Sequence, residues 1–251
     1  MKAMVLAAGL GTRLRPLTDD RPKALVEVAG RTMLEITLDR LRSFGIREVI
    51  VNAHHFADQI AEYLKANRDF GMRIEISRED ILLDTGGGLK KAARFFLEGA
   101  AGAPVDDEPF ILHNVDVLST IDLRRMTQFH AENRALATLA VQDRESSRYL
   151  LFDESLHLSG RRAGHDRADE IARHSASMKP LAFCGIHVIS PRIFSRMTEE
   201  GVFSIIAAYL RLAAAGEKII AFRADQYYWR DLGRPEHVLQ TAEDLRQGVV
   251  R

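Results

Sequence analysis

A single cysteine, Cys184, stands in the whole chain. No internal disulfide can form, and such a composition fits a reducing compartment. Excess charge of either sign is missing too: Lys plus Arg and Asp plus Glu number 35 each. No global field therefore draws the chain to nucleic acid or to a membrane surface. There is no run of eighteen apolar residues to span a bilayer. The apolar run at 3–8 is too short for a secretory signal and has only Lys2 ahead of it. Together these absences set the expectation of a soluble, cytoplasmic protein with neither a nucleic-acid nor a membrane partner. An apolar share of 46% over 251 residues suffices for one substantial sheet-centred core. Anion binding, if any, must come from local placement of charge.

Two nucleotide-binding signatures are absent as well. Gly9-Leu10-Gly11 could open a dinucleotide fingerprint, but Leu14 stands where the third glycine belongs, and no helical pattern follows at once. No GK[ST] ending exists, which excludes a P-loop. What is present is the apolar run 3–8 entering a glycine turn, Gly9-Leu10-Gly11-Thr12-Arg13. Such a run reads as a buried parallel strand leading into a tight loop. Glycines let main-chain N–H groups approach a ligand, and a nest of these donors suits phosphate oxygens. Arg13 and Arg15 add forked cationic donors, and Lys23 adds a point charge. The stretch 6–25 thus reads as a phosphate-binding segment. A glycine turn flanked by solvated arginines is the plainer alternative.

Further along, apolar periodicity alternates between strand and helix. Residues 24–28 and Gly30 suggest a short strand and turn. Leu34, Leu38 and Leu41 mark one face of a helix ending near Gly45, and 49–51 a buried strand. Ala57, Ile60, Ala61 and Leu64 form the next helix stripe, followed by a strand at 74–76. This alternation predicts a largely parallel sheet with helices on both faces. His54 and His55 are neighbours on a loop but have no nearby third ligand to complete a metal site. Asp84-Thr85-Gly86-Gly87-Gly88 opens a helical stretch, where bare backbone could meet a ligand at a helix N-terminus or simply form a flexible turn. The strand at 110–112 delivers His113-Asn114-Val115-Asp116 at its C-terminal end, the edge where open α/β sheets bind ligands. A carboxylate there can hold Mg²⁺ beside a phosphate, or cap the following turn.

The later segments differ in character. Residues 137–141 read as a strand, 149–152 and 156–158 as a hairpin, and 160–177 as a polar, mobile excursion. A strand returns at 181–190, with His187 packed within it. A helix is expected at 204–215 with Ser204 as its N-cap, then a strand at 219–222. Pro235 fits the first turn of a closing helix whose stripe is Val238, Ala242 and Leu245.

The pattern L-A-A-G-x-G-T-R-L-x-P-L-T followed by Pro22-Lys23 resembles the N-terminal signature of the sugar-1-phosphate nucleotidyltransferases. Trp229-Arg230-Asp231-Leu232-Gly233-Arg234-Pro235-Glu236 is similar to the same family's W-x-D-[IVL]-G-[TK]-P-E motif, and the resemblance spans essentially the whole chain. The compact N-acetylmuramate 1-phosphate uridylyltransferases carry E-T-G-G-G where this chain has Asp84 and its glycines. Val115 departs from the family's N-G-D, which puts in doubt how closely backbone approaches ligand there. The resemblance implies a Rossmann-like three-layer α/β/α fold with a mixed central sheet and a small β-hairpin sugar-binding subregion. It implies one domain over 1–251, with a nucleotide half near 1–120 and a sugar-phosphate part near 135–235.

The implied reaction joins an NTP, expected to be UTP, to a sugar 1-phosphate and releases pyrophosphate. Nucleotide contacts would come from Leu6, Ala8, Gly9, Gly11, Thr12, Arg13, Lys23, Asp84, Gly86, Gly87, Gly88 and Asn114. Arg13 would stabilise the departing pyrophosphate, Lys23 the α-phosphate, and Asp116 with Asp231 would hold Mg²⁺. Arg148, Gly185 and Lys179 would meet the sugar phosphate, although Lys179 lacks the family's E-K-P context. GTP-dependent transfer to mannose 1-phosphate or a heptose phosphate is the close alternative. A non-catalytic, sugar-nucleotide-sensing subunit would be expected to lose Arg13, Lys23 or an aspartate, and all four are present.

Overall fold

The computed structural model describes residues 1–98, 108–164 and 168–249. β1 (Lys2–Leu6) leads, through the glycine loop, to a small hairpin of β2 (Glu27–Val28) and β3 (Arg31–Thr32). Then come α1 (Met33–Ser43), β4 (Glu48–Ala53), α2 (Ala57–Ala66), β5 (Arg73–Arg78), α3 (Asp84–Lys91), α4 (Ala93–Leu97) and β6 (Phe110–Asn114). The chain continues as β7 (Val117–Ser119), α5 (Leu123–Asn133), β8 (Ala137–Gln142), β9 (Arg148–Phe152), β10 (Leu158–Ala163) and β11 (Glu170–Ile171). It closes with β12 (Lys179–Ile189), α6 (Ile205–Ala214), β13 (Ile219–Arg223), β14 (Trp229–Asp231) and α7 (Pro235–Arg246).

Ten of these strands form one mixed sheet in the order β11-β10-β9-β12-β6-β1-β4-β5, with β8 also pairing with β12 and β13 pairing with β8. β6, β1, β4 and β5 are mutually parallel, and β12 runs antiparallel to β6. The apolar run at β1 does not alternate with polar residues because both sheet faces are covered. Ala3 and Val5 join one core cluster with Leu34, Leu38, Leu41, Ile60 and Leu64 of α1 and α2. Met4 and Leu6, pointing the other way, join Leu89, Phe96, Ile205 and Tyr209 of α3, α4 and α6. The result is a three-layer α/β/α arrangement. Thr32 caps α1 by accepting from the Glu35 N–H at 3.0 Å, and Gly45 at φ 84° turns the chain out of it. Ser204 caps α6 and Pro235 begins α7, as the sequence predicts.

Within the polar stretch at 160–177, expected as a mobile excursion, the described residues include the end of β10 and the whole of β11. β10 extends to Ala163 and pairs with β9, and β11 pairs with β10 through Gly160 and Ile171. Residues 165–167 of that stretch lie outside the described residues. The charged residues misled because they sit on exposed strand faces: Arg161 pairs with Glu170 and Arg162 with Asp169. β12 is the joint between the two halves of the sheet. Its pairing with β8 shifts register between Phe183 and His187, around Gly185 at φ 73°, and this bulge re-aims the backbone beside the cleft.

His113 and His187 lie on adjacent strands, β6 and β12, and both are buried. His187 Nδ1 meets the Tyr209 hydroxyl at 3.0 Å. Burial pushes His113 down to about 4 and His187 down to about 3. In the unfolded chain each titrates near its ordinary value of about 6.5. Between those limits the unfolded chain binds more protons, so stability is full above about pH 6.5 and falls as pH drops toward 4. The Tm should therefore decline steadily from pH 6.5 to 4, with a shallower slope in His187→Gln. A Tm that holds level across that range would contradict this.

Candidate active site

The C-terminal ends of three parallel strands converge: Leu6 registers with Asn52 on one side and with Asn114 on the other. Beyond Leu6 the chain turns into the glycine loop. Asn52 Oδ1 accepts from the Ala7 N–H at 2.7 Å and the Ala8 N–H at 3.3 Å, fixing where that loop starts. Gly11, at φ 66°, closes a 3-10 turn over Thr12–Leu14, and its carbonyl accepts from Leu14 N–H and Thr18 Oγ1. A Cβ on Gly9 would lie 3.4 Å from Lys23 Nζ, so Lys23 packs directly across the loop. Its ammonium reaches Asp116 Oδ2 at 2.9 Å. Burial opposes ionisation of Asp116, yet the Lys23 charge and hydrogen bond, aided by Arg13, hold its carboxyl below the usual range.

Asp231 arrives by a separate device. β7 and β14 form a two-stranded antiparallel ribbon in which Asp231 faces Val117, and Leu232 N–H donates to the Asp116 carbonyl at 2.7 Å. Two carboxylates remote in sequence are thereby made neighbours at one cleft. Asp231 does not cap the closing helix. The N-cap of α7 is Arg234, and Asp231 Oδ1 accepts from the Gly233 N–H at 2.6 Å. A Cβ on Gly233 would fall 2.6 Å from Asp231 Oδ1 and 2.7 Å from Arg13 Nη2. The bare glycine leaves room for both the Arg13 guanidinium and the Asp231 carboxylate beside it.

The second glycine cluster corrects an expectation. Gly86 and Gly87 do not turn bare amides to the cleft: both N–H groups donate to the Phe203 carbonyl, at 2.9 and 3.2 Å. Gly88 is equally enclosed, since a Cβ there would meet Glu79 Oε1 at 2.7 Å and Asn52 Nδ2 at 2.9 Å. The three glycines serve close packing, and the residues of this turn that face the cavity are Leu82, Asp84 and Thr85. Glu79, which no sequence pattern singles out, is the connector. One of its oxygens accepts from Asn52 Nδ2 at 2.7 Å and the other from the Leu83 N–H at 3.0 Å. His54 lies against the Glu79 carbonyl at 2.8 Å, and the His55 ring lies against Phe56.

Two cavities share Arg13, Asn114 and Asp231 on their common border. One, of about 400 Å³, runs from Leu6, Ala8 and Gly9 to Leu82 and Asp84, past Lys23 and Asp116. Gly11 and Thr12 line a smaller space beneath the loop, with Lys23, Asp116 and Gly233. The other cavity, of about 1030 Å³, is walled by β12 and the segment before β9 and includes Gly185 and Arg148. A Cβ on Gly185 would collide with Asn114 Nδ2 at 2.9 Å, so the bulge gives that amide its room. Lys179 is not brought to this wall. It stands at the start of β12, paired with Asp143 at 2.6 Å, because the register with β9 carries it away from the bulge. Sequence reasoning missed Arg144, Arg230 and Arg234, all of which line the larger cavity. Arg230 and Arg234 stand inside the tryptophan motif, which could have flagged them; no pattern marks Arg144.

The mixed sheet thus brings a glycine loop and two aspartates to one two-part cleft. The Nucleotidyl transferase family model matches residues 2–154. An N-acetylmuramate alpha-1-phosphate uridylyltransferase of Caulobacter vibrioides is 36% identical, covering 98% of this chain and 97% of that protein. A mannose-1-phosphate guanyltransferase of Yarrowia lipolytica is 29% identical over 95% of this chain and 62% of its own length. The crystal structure of HddC from Yersinia pseudotuberculosis complexed with GMP-PN superposes with a TM-score of 0.75 at 20% identity, over 97% of this chain and 99% of that one. The chain belongs to the nucleotidyl transferase family.

Asn52 offers a direct check on this architecture. Asn52→Ala leaves two loop amides and one oxygen of the buried Glu79 without a partner, at a cost of about 1–3 kcal/mol for each buried group stranded. At roughly 2–4 °C per kcal/mol for a chain of this size, a Tm drop of several degrees is expected by calorimetry. A drop of less than a degree would show that the network does not hold the loop.

Proposed function

We propose that the chain transfers a uridylyl group from UTP to a hexose 1-phosphate, N-acetylmuramate-like sugars included, and releases pyrophosphate. The observation that carries this reading is the β7–β14 ribbon, which sets Asp231 beside Asp116, with Lys23 and Arg13 at the border of the two cavities. The smaller cavity, built mainly by 1–120, takes the nucleotide. The larger, built mainly by 135–235, takes the sugar phosphate. A phosphate oxygen of the sugar attacks the α-phosphorus in line, and the bond to the β-phosphate oxygen breaks. No protein nucleophile is required; positioning and charge neutralisation carry the rate. Arg13 follows the charge onto pyrophosphate, and Lys23 holds the α-phosphate.

The family's divalent ion is read here as Mg²⁺. Among the described residues no group of three or more His, Cys, Asp and Glu side chains converges. Two carboxylates suit an ion that completes its shell with substrate phosphate and water. Asp116 and Asp231 would hold it, and it would supply charge neutralisation between two anionic reactants. Identity to the Caulobacter uridylyltransferase over nearly the full chain supports UTP; the guanyltransferase relatives keep GTP as the rival.

A panel of NTPs and sugar 1-phosphates, scored by pyrophosphate release, tests the reading, with UTP expected to give the highest kcat/KM. GTP leading with every sugar phosphate would transfer the assignment to guanylyl transfer. Asp231→Asn retains an acceptor for the Gly233 N–H while removing a charge. It should lower kcat on the order of 10²-fold or more and leave the Tm within about 2 °C, a shift of under 1 kcal/mol. A destabilised but fully active variant would make Asp231 a turn residue only.

A further inference from the structure

Arg144 sits where the proposed chemistry has an unfilled role. The lysine expected at the sugar phosphate, Lys179, is committed to Asp143 outside the cleft. Arg230 is tied to Asp244 at 2.9 Å, and Arg148 is exposed at the start of its strand. Arg144 is held differently. Its guanidinium carbon lies 3.7 Å from the centroid of the Trp229 ring, a cation–π stack that fixes the plane of the fork. Trp229 is itself fixed, donating from Nε1 to the Cys184 carbonyl at 2.8 Å. Arg144 Nη1 and Nη2 donate to the neutral Glu145 and Phe183 carbonyls at 3.3 and 3.1 Å, while Nε is buried without a hydrogen-bond partner. No carboxylate lies within ion-pair distance of it among the described residues. The adjacent Cys184 thiol, pushed up to about 12 by burial, stays neutral and offers no countercharge.

Position completes the case. Trp229 and Asp231 are two residues apart on β14, so their side chains leave the same face, with about 7 Å of strand between them. A cation stacked on Trp229 therefore lies on the sugar side of Asp231, along the wall of the larger cavity. We propose that Arg144 binds the phosphate of the incoming sugar 1-phosphate and orients its attacking oxygen, the stack on Trp229 holding the guanidinium ready for that anion. A phosphate would give the fork the charged acceptor that the folded chain withholds. This assignment rests on the sugar-1-phosphate reading of the cleft.

The test compares wild type, Arg144→Gln and Arg144→Lys with UTP and several hexose 1-phosphates, measuring each substrate's KM. A wild type inert with every nucleotide and sugar pair would sink the reading of the cleft itself, and this assignment with it. With an active wild type, Arg144→Gln should raise KM for all accepted sugar 1-phosphates by roughly 10- to 100-fold, the weight of a charge-assisted hydrogen bond. KM for UTP should stay within about twofold, and Arg144→Lys should recover part of the loss because it restores the charge without the fork. Unchanged sugar KM values in an active Arg144→Gln would overturn the assignment. So would a loss confined to one sugar, which would mark a contact to a ring substituent. An equal rise in both KM values with a fallen Tm would reduce Arg144 to a structural staple.

Discussion

The Lys23–Asp116 ion pair is the constraint on which the cleft depends. It joins the end of the glycine loop to the turn after β6, and both side chains are largely withdrawn from water. Taking either partner away would leave the other charge stranded, at a cost on the order of 3–5 kcal/mol. Loop shape follows from that requirement. Lys23 packs across Gly9, and Gly11 takes a positive φ of 66° at a point where a Cβ would come within 3.0 Å of Thr18 and 3.2 Å of Lys23.

Around this pair the sheet supplies rigidity and the ribbon supplies reach. Parallel strands β1, β4 and β6 end together, which places Leu6, Asn52 and Asn114 in a row. Glu79 and Asn52 then tie the phosphate loop to the turn at 82–85 through hydrogen bonds that admit no Cβ at Gly88. The two ends of the smaller cavity are thus spaced by buried polar contacts rather than by a flexible hinge. On the other side, the β12 bulge at Gly185 and the β14 strand frame the larger cavity, and Asp231 and Arg13 both pack beside Gly233 at the border between the two cavities.

Much of this could be read from residue order alone. The strand–helix alternation, the buried face Leu34, Leu38 and Leu41, the N-cap at Ser204 and Pro235 at a helix start are local signals, and local signals survive folding. The glycine loop with its arginine and lysine was legible because the backbone conformation it needs is encoded by the residues themselves. The same reasoning failed at Gly86–Gly87–Gly88, where glycine marks closeness but not to what. A neighbour's carbonyl, from Phe203, occupies the place where a ligand was expected.

The sequence by itself determined the class of fold, the glycine loop, and the aspartates worth watching, because strand propensity, glycine freedom and charge are properties of short segments. Tertiary structure alone decided which side chains share a space. It turned Lys179 away through the register of β12 with β9, brought Arg144 onto Trp229, and made Glu79 the link between two glycine segments. It also placed Asp231 beside Asp116 by pairing β7 with β14. Such proximities arise from strand pairing and close packing between residues remote in the chain, and no spacing along the sequence records them.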